Sequence, residues 1–128
     1  MVEQITKGIR ISVTSHFEGT FYKEQQINFA FGYNITIENQ SPHSVQLLSR
    51  HWEILDALNI MEIVDGKGVI GQQPILQPGE LHTYSSGCLL SAPFGAMRGY
   101  YTMTNFTTGN TFKVRIPTFK LHSPFALN

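Results

Sequence analysis

The chain has 128 residues, of which 41% are hydrophobic and 14% charged, and its nine basic and nine acidic residues give a formal charge of zero. This apolar content is sufficient for a core and excludes a disordered tail. A zero charge without a cluster of Lys and Arg argues against binding to nucleic acid, which depends on counterion release. The length is close to the commonest domain size, so we expect a single domain over residues 1–128.

Alternation of apolar and polar residues runs along most of the chain, and this pattern is typical of half-buried β-strands. It begins at residues 9–13 and is strongest over residues 28–39, where the apolar side chains at odd positions share one face. Gly32 falls on the other face, where it indicates a bulge or the close approach of another backbone. In the next predicted strand, Leu48, Trp52 and Ile54 are in phase and are expected to share one face. Further strands are predicted over residues 45–55, 61–64, 69–76, 81–90, 97–106 and 111–116.

No window combines a helix start signal with an apolar stripe of 3.6-residue period. The predicted strands are short, and turn residues separate them at intervals of about ten residues, which is typical of sandwiches and barrels. The residues at 107–110 are turn formers and predict a hairpin connection between the last two strands. The fold class predicted from these patterns is all-β.

Residues 66–71 read Gly-Lys-Gly-Val-Ile-Gly and match the dinucleotide-binding pattern G-x-G-x-x-G. That pattern binds a pyrophosphate where a helix begins directly after the loop. Pro74, preceded by two β-branched residues and a glycine, is incompatible with such a helix. We therefore predict a β-hairpin whose turn lies at Asp65-Gly66, since this dipeptide is a strong turn former.

An alternative for the same segment is a small anion site. Backbone N–H groups in a glycine-rich turn can form a concave nest for phosphate or pyrophosphate, and the Lys67 ammonium would add positive charge. The residues of this candidate ligand-binding site are Gly66, Lys67, Gly68 and Gly71.

Two other features of the sequence bear on metal binding and on nucleophilic catalysis. His51 and Glu53 would share one strand face with Ser49 beside them, a pattern compatible with a cation, but zinc requires three or four converging ligands. We therefore expect a polar row next to a buried Trp52, and no metal site. Cys88 is the single cysteine, which excludes an internal disulfide, and its half-apolar surroundings predict a small buried side chain.

The chain also lacks the general signals of enzymes and exported proteins. No nucleophile elbow and no pair of carboxylates placed for acid–base work is present, so we expect a non-enzymatic protein without a cofactor. The first residues do not form a secretory signal, and no segment approaches about 18 continuous apolar residues. We expect a cytoplasmic protein that does not insert into a membrane.

Six stretches, in order and at matching spacing across most of the chain, resemble the bacterial ApaG family. They read LSRHWEI at 48–54, GKGVIGQQP at 66–74, LQPGE at 76–80, YSSG at 84–87, MRGYYTM at 97–103 and IPTFKL at 116–121. The chain departs from the family pattern at Leu58-Asn59, where a glycine after a polar residue is usual. It departs again at His82, where an aromatic residue is usual. Both departures are interpreted as loop or packing variation.

The resemblance implies an immunoglobulin-like, fibronectin type III-like β-sandwich of two antiparallel sheets. It also implies a genetic association with cobalt and magnesium resistance or efflux, and it brings no set of catalytic residues. Related domains occur in larger eukaryotic proteins, including F-box proteins, which implies an interaction role, and family members pair as homodimers. We therefore expect an interaction module whose partner is another protein or a second copy of itself, linked only indirectly to cation efflux. Anion binding at residues 66–71 is the alternative function.

Overall fold

The computed structural model describes residues 1–124, which form two antiparallel β-sheets and confirm the predicted all-β fold class. One sheet has the order β1-β2-β3-β7 and the other β5-β4-β8-β9, with β6 paired to the same edge of β4 as β5. None of these 124 residues belongs to a helix long and apolar enough to cross a membrane. The strands are β1 (Val2–Thr6), β2 (Ile9–Lys23), β3 (Gln26–Asn39), β4 (Val45–Asp56), β5 (Glu62–Lys67), β6 (Ile75–Leu76), β7 (Leu81–Leu90), β8 (Phe94–Asn105) and β9 (Thr111–His122).

The core lies between the inner faces of the two sheets, where the alternating apolar side chains meet. The face predicted for residues 28–39 is confirmed, because its apolar residues from Phe31 to Ile37 are buried and Phe29 packs against them. On the outer face, the close approach at Gly32 comes from a side chain: a Cβ there would lie 2.5 Å from Nε2 of His16. The largest fully buried side chains include Ile9, Ile11, Phe31, Ile35, Ile37, Leu47, Leu90, Met97, Tyr101 and Met103.

A β-bulge in β4 changes which residues of that strand face the core. Leu47 pairs with Met103 and Ser49 pairs with Thr102, so Leu48 has no counterpart on β8. Odd-numbered residues therefore point inwards before the bulge and even-numbered residues after it. Leu48 is the extra residue of the bulge and is not buried with Trp52 and Ile54, so the three are not in phase as the sequence suggested. The inward side chains are Val45 and Leu47 before the bulge, and Arg50, Trp52 and Ile54 after it.

Aromatic rings fill the core at the level of Trp52. The centroid of its ring lies 5.5 Å from that of Tyr33 on the opposite sheet and 5.9 Å from that of Phe119 on β9. These are edge-to-face and tilted contacts, which aromatic pairs prefer over face-to-face stacking. The two sheets are thus joined by aromatic packing directly behind the outward-facing residues of β4.

Several strand predictions were incomplete or wrong. β1 was not predicted and β2 runs ten residues beyond the predicted segment, to Lys23, because the side chains there are mostly exposed and show no hydrophobic alternation. The strand predicted over residues 69–76 is wrong: residues 69–72 form a tight turn, and only Ile75–Leu76 is a strand. The hairpin predicted across residues 107–110 is confirmed.

The stability of the sandwich should depend on the β3 face that the sequence identified. We expect Ile35→Ala, at a fully buried position, to lower the free energy of unfolding by about 2–5 kcal/mol through the lost contacts and the cavity left behind. Ile63→Ala is the matched control, since Ile63 lies in a strand but is 54% exposed, and should cost less than about 1 kcal/mol. Urea unfolding of both variants measures the difference, and equal losses would contradict the assignment of the core.

Candidate functional site

The glycine segment begins inside β5, because pairing with β4 continues as far as Lys67. Asp65 lies opposite His51 and Gly66 opposite Arg50. The turn predicted at Asp65-Gly66 is therefore wrong, since strand pairing overrides the local turn preference of this dipeptide. The chain turns five residues later, at Ile70 and Gly71.

The actual turn has the geometry of a two-residue hairpin loop. The φ angles of Ile70 and Gly71 are 46° and 73°, as expected for a type I′ turn. The Val69 N–H donates to the Gln72 carbonyl at 2.8 Å, and the Gln72 N–H donates back to the Val69 carbonyl at 3.0 Å. A hairpin turn, and not a helix, therefore follows the glycines, and the dinucleotide-binding geometry is not formed.

Each glycine of the segment meets a different structural requirement. Gly66 makes room for Arg50, because a Cβ there would lie 2.7 Å from Cζ of the guanidinium. Gly68 has a φ of 66°, and a Cβ there would lie 2.3 Å from the Gln72 carbonyl oxygen. Gly71 also has a positive φ, but the space around it is open. The three glycines are thus explained by packing and turn geometry.

The hydrogen bonds of the segment show which of its backbone groups are already engaged. The Gly68 N–H donates to the Leu48 carbonyl at 2.9 Å. Nη1 of Arg50 donates to the carbonyls of Lys67 and Gly68 at 3.1 and 2.8 Å. Towards Arg50, the segment therefore presents carbonyl oxygens. Anion binding by Gly66, Lys67, Gly68 and Gly71 stays a prediction, and it would depend on the remaining N–H groups and the exposed Lys67.

Beside Arg50, the two sheets are joined by a pair of tyrosine hydroxyls. Tyr84 on β7 and Tyr101 on β8 hydrogen-bond to each other through their hydroxyl groups. Burial raises the pKa of both phenols well above the ordinary value, which outweighs the opposing effect of the Arg50 charge. Both hydroxyls are therefore neutral at physiological pH, and their role is a polar contact between the sheets.

The outer face of β4 carries a row of charged side chains centred on His51. Its Nδ1 lies 2.6 Å from Oδ1 of Asp65, and its Nε2 lies 3.1 Å from Oε2 of Glu53. The ring also stacks on Tyr100, with 4.7 Å between the centroids. A neutral imidazole has one N–H and cannot donate to both carboxylates, so this arrangement favours the doubly protonated ring.

The electrostatics of the row follow from these contacts. The hydrogen bond to Asp65 is the main cause that raises the pKa of His51 above its usual value, and the contact with Glu53 adds to it. Glu53 accepts a hydrogen bond from Nε of Arg98 at 2.7 Å, and this bond is the main cause that lowers the pKa of Glu53. The row is thus a chain of ion pairs across β5, β4 and β8.

The predicted proximity of His51 and Glu53 is confirmed, and the structure adds Asp65, which the sequence did not indicate. The two ring nitrogens point to separate carboxylates, so the three side chains do not converge on one point. In the part of the chain that the structure describes, no group of three His, Cys, Asp or Glu residues is placed to hold a metal ion. Asp65 lies on a neighbouring strand, and only the strand register could have identified it.

Cys88 is half-buried and lies next to the core, as predicted for a small apolar side chain. Burial is the main cause that raises the pKa of its thiol, to about 12. The thiol is therefore protonated at neutral pH and is a poor nucleophile.

The fold places the chain among all-β proteins built from two antiparallel sheets, and comparison with known proteins identifies the family. The ApaG domain family model matches residues 19–105. Protein ApaG of Beijerinckia indica subsp. indica is 42% identical over 126 residues, which cover 98% of this chain and 96% of that protein. The chain belongs to the ApaG domain family.

Two solved structures are similar to this one over most of their length. The X-ray structure of a structural genomics target matches with a TM-score of 0.87 and 34% identity, covering 94% of this chain and 90% of that one. The crystal structure of an ApaA protein from Bordetella pertussis matches with a TM-score of 0.80 and 39% identity, covering 91% and 94%. The fold and the family assignment therefore agree.

The different requirements at Gly68 and Gly71 can be separated by mutation. Alanine is strained at both positions because both have a positive φ. Only at Gly68 does the new Cβ also meet a backbone carbonyl, so Gly68→Ala should cost about 1–3 kcal/mol more than Gly71→Ala. Urea unfolding of the two variants measures this difference. Equal costs would show that turn strain alone explains the glycines.

The ion pairs of His51 predict a pH dependence of stability. A folded-state pKa raised above the unfolded value means that protonation of His51 stabilises the fold, fully below the unfolded pKa of about 6.5. This contribution is lost as the pH rises through the folded pKa. The difference in unfolding free energy between the wild type and His51→Gln should therefore be largest below about pH 6.5 and shrink as the pH rises above it.

Urea unfolding over a pH series, with an NMR titration of the His51 ring, checks this expectation. His122→Gln is the control, since His122 is exposed and forms no ion pair in residues 1–124. A pH-independent difference for His51→Gln would contradict the role assigned to the row.

Proposed function

We propose that this protein is a non-enzymatic interaction module of the cytoplasm, which binds another protein or a second copy of itself. The contact surface is the apolar end of the sandwich, formed by the β2–β3 hairpin tip and the β4–β5 loop. The association of the ApaG family with cobalt and magnesium resistance is then indirect, because it operates through the bound partner. Domains of the immunoglobulin-like and fibronectin type III-like kind, which the sequence resembles, carry loops at the sandwich ends that serve such contacts.

The observation that carries this proposal is the exposure of large apolar side chains at one end of the molecule. In the hairpin tip, Tyr22 is 71% exposed and Ile27 is 53% exposed. In the β4–β5 loop, Leu58 is 72% exposed and Ile60 is 89% exposed. Apolar residues scattered singly on a surface are ordinary, whereas grouped ones mark interaction sites.

The hairpin tip and the loop belong to one continuous surface. A cavity of about 560 Å³ has Ile27 and Leu58 in its lining, together with Pro93. A neighbouring cavity of about 260 Å³ has Ile60 and Leu89 in its lining.

The β2–β3 hairpin is presented beyond the rest of its sheet. β7 pairs with β3 only from Phe29 onwards, so the strand ends before it pair only with each other. The turn between them places Glu24 and Gln25 at φ values of 51° and 64°, an unfavourable region for these residues. The tip is therefore a two-residue hairpin turn that lies outside the pairing with β7.

The side chains that could serve catalysis support the non-enzymatic part of the proposal. The Cys88 thiol is protonated at neutral pH because burial raises its pKa. Both ring nitrogens of His51 are held by carboxylates, so the ring is not available as a general base.

Photocrosslinking in cells tests the proposal. We expect a photoreactive residue at position 58 to capture a defined protein or a second copy, and one at position 81 to capture much less. Leu81 is a matched control, because it is 58% exposed but lies at the other end of β7. The double variant Leu58→Ser, Ile60→Ser should weaken the captured complex at least about tenfold, since each buried aliphatic side chain contributes about 1.5–3 kcal/mol.

Sedimentation of the purified chain then identifies the occupant. A concentration-dependent dimer that the double variant loses would identify a second copy, and a monomer with a stable crosslinked product would identify a different protein. Equal capture at positions 58 and 81, with a monomer at every concentration, would overturn the proposal.

A further inference from the structure

At the end of the sandwich opposite the apolar surface, three connections line a polar cavity that is open to solvent. They are the β1–β2 turn, the β3–β4 loop and the β8–β9 loop, and the cavity between them has a volume of about 420 Å³. This volume lies within the range of about 300–1,000 Å³ found for small-molecule sites. Its lining consists of Lys7, Ser41, His43, Asn105, Thr108, Asn110, Thr111 and Phe112.

The lining contains basic side chains and no acidic ones. It contains the Lys7 ammonium and the His43 imidazole, and it contains no Asp or Glu. Lys7 forms no ion pair within residues 1–124, and its Nζ lies 5.9 Å from the centroid of the Phe112 ring. A cation without a carboxylate partner at a cavity wall favours an anionic ligand.

The β1–β2 turn holds Lys7 in place. Lys7 and Gly8 have φ values of 50° and 81°, which define a type I′ turn, a geometry that Asn and Gly adopt more readily than Lys. Gly8 packs so closely on Ser41 that a Cβ there would lie 2.9 Å from the serine Cβ, and its carbonyl accepts the Gln40 N–H at 2.8 Å. The backbone of Lys7 is thus held beside the β3–β4 loop, with its exposed side chain at the cavity wall.

The buried side chain of Asn39 holds the β3–β4 loop through hydrogen bonds. Asn39 is fully buried, and its Nδ2 donates to the carbonyls of His43 and Leu76 at 2.7 and 2.9 Å. Its Oδ1 accepts the Ser41 N–H at 3.0 Å and the Ser41 hydroxyl at 2.7 Å. A fully satisfied buried network of this kind makes the wall of the cavity rigid before any ligand arrives.

The β8–β9 loop, which forms another wall of the cavity, is held by a side chain of β8 and contacts the β3–β4 loop. Oδ1 of Asn105 accepts the N–H groups of Thr107 and Thr108 at 2.8 and 3.1 Å. Nδ1 of His43 lies 3.1 Å from Oγ1 of Thr107. When this hydroxyl donates to Nδ1, Nε2 carries the remaining N–H and is a donor for a ligand.

We propose that this cavity binds a small phosphorylated molecule. The phosphate group is bound by the Lys7 ammonium and the His43 Nε2–H, since a phosphate accepts several charge-assisted hydrogen bonds and Lys binds it as a point charge. The Thr108 hydroxyl and the Asn110 side-chain amide bind the polar remainder. The site is separate from the surface of the proposed interaction and from the glycine segment at residues 66–71.

Lys7→Asn is the variant that tests the site, because Asn suits a type I′ turn and lacks the ammonium group. Lys67→Asn is the matched control: it makes the same change of charge at the glycine segment. Urea unfolding shows whether both variants keep the stability of the wild type. The second test variant, His43→Gln, removes the imidazole and keeps a polar side chain.

The measurement is an NMR titration of the ¹⁵N-labelled full chain with glycerol 3-phosphate, inorganic phosphate, glycerate and glycerol at millimolar concentration. We expect saturable shifts of the amides of Gly8, Ser41, His43, Thr108 and Asn110 with glycerol 3-phosphate, weaker binding of inorganic phosphate, and none with glycerol. Lys7→Asn should raise the dissociation constant about tenfold, as expected for the loss of a hydrogen bond from a charged group. Lys67→Asn should leave it unchanged.

Three results would overturn the proposal. The first is an absence of saturable shifts with glycerol 3-phosphate, and the second is binding of glycerate as tight as that of glycerol 3-phosphate. The third is a set of shifts confined to residues 66–71 that Lys67→Asn abolishes, which would place the anion at the glycine segment. These outcomes are independent of the crosslinking result at position 58.

Discussion

One unpaired residue in β4 determines how the second sheet divides its side chains between core and surface. Because Leu48 has no counterpart on β8, the residues after it change face relative to those before it. Trp52 therefore reaches the core, and His51 points outwards to its carboxylate partners. Arg50 enters the space between the sheets, where it fixes the carbonyls of residues 67–68. The polar row and the shape of the glycine segment both depend on this bulge.

The strand content was predictable because burial on one face imposes a period of two on the sequence. This held best in β3, where the alternating apolar side chains are in contact with the core. It failed in β1 and in the outer half of β2, whose exposed side chains are under no such constraint. It failed also at Asp65-Gly66, where the pairing of six residues of β5 with β4 overrides a strong local turn preference, an effect that no short stretch of sequence displays.

In the candidate sites, contacts within one strand were predictable from the sequence, whereas contacts between strands or loops were not. The proximity of His51 and Glu53 was predicted because two residues on one face of one strand are neighbours whatever the tertiary structure. Asp65 and Arg98 join them from other strands, and their positions depend on register. Lys7 and His43 come together through loops whose conformations depend on the buried Asn39. The two ends of the sandwich consequently differ in chemistry, one apolar and one polar, although the sequence distinguishes them poorly.

The glycine segment has a further consequence for reading such patterns. A run of glycines shows where side chains are absent, but it does not show what occupies the space that their absence leaves. In a nucleotide-binding loop that space admits the ligand, whereas over Gly66 it is filled by the guanidinium of Arg50. The segment therefore carries an internal occupant, and any external molecule bound over Gly66 would first have to displace it.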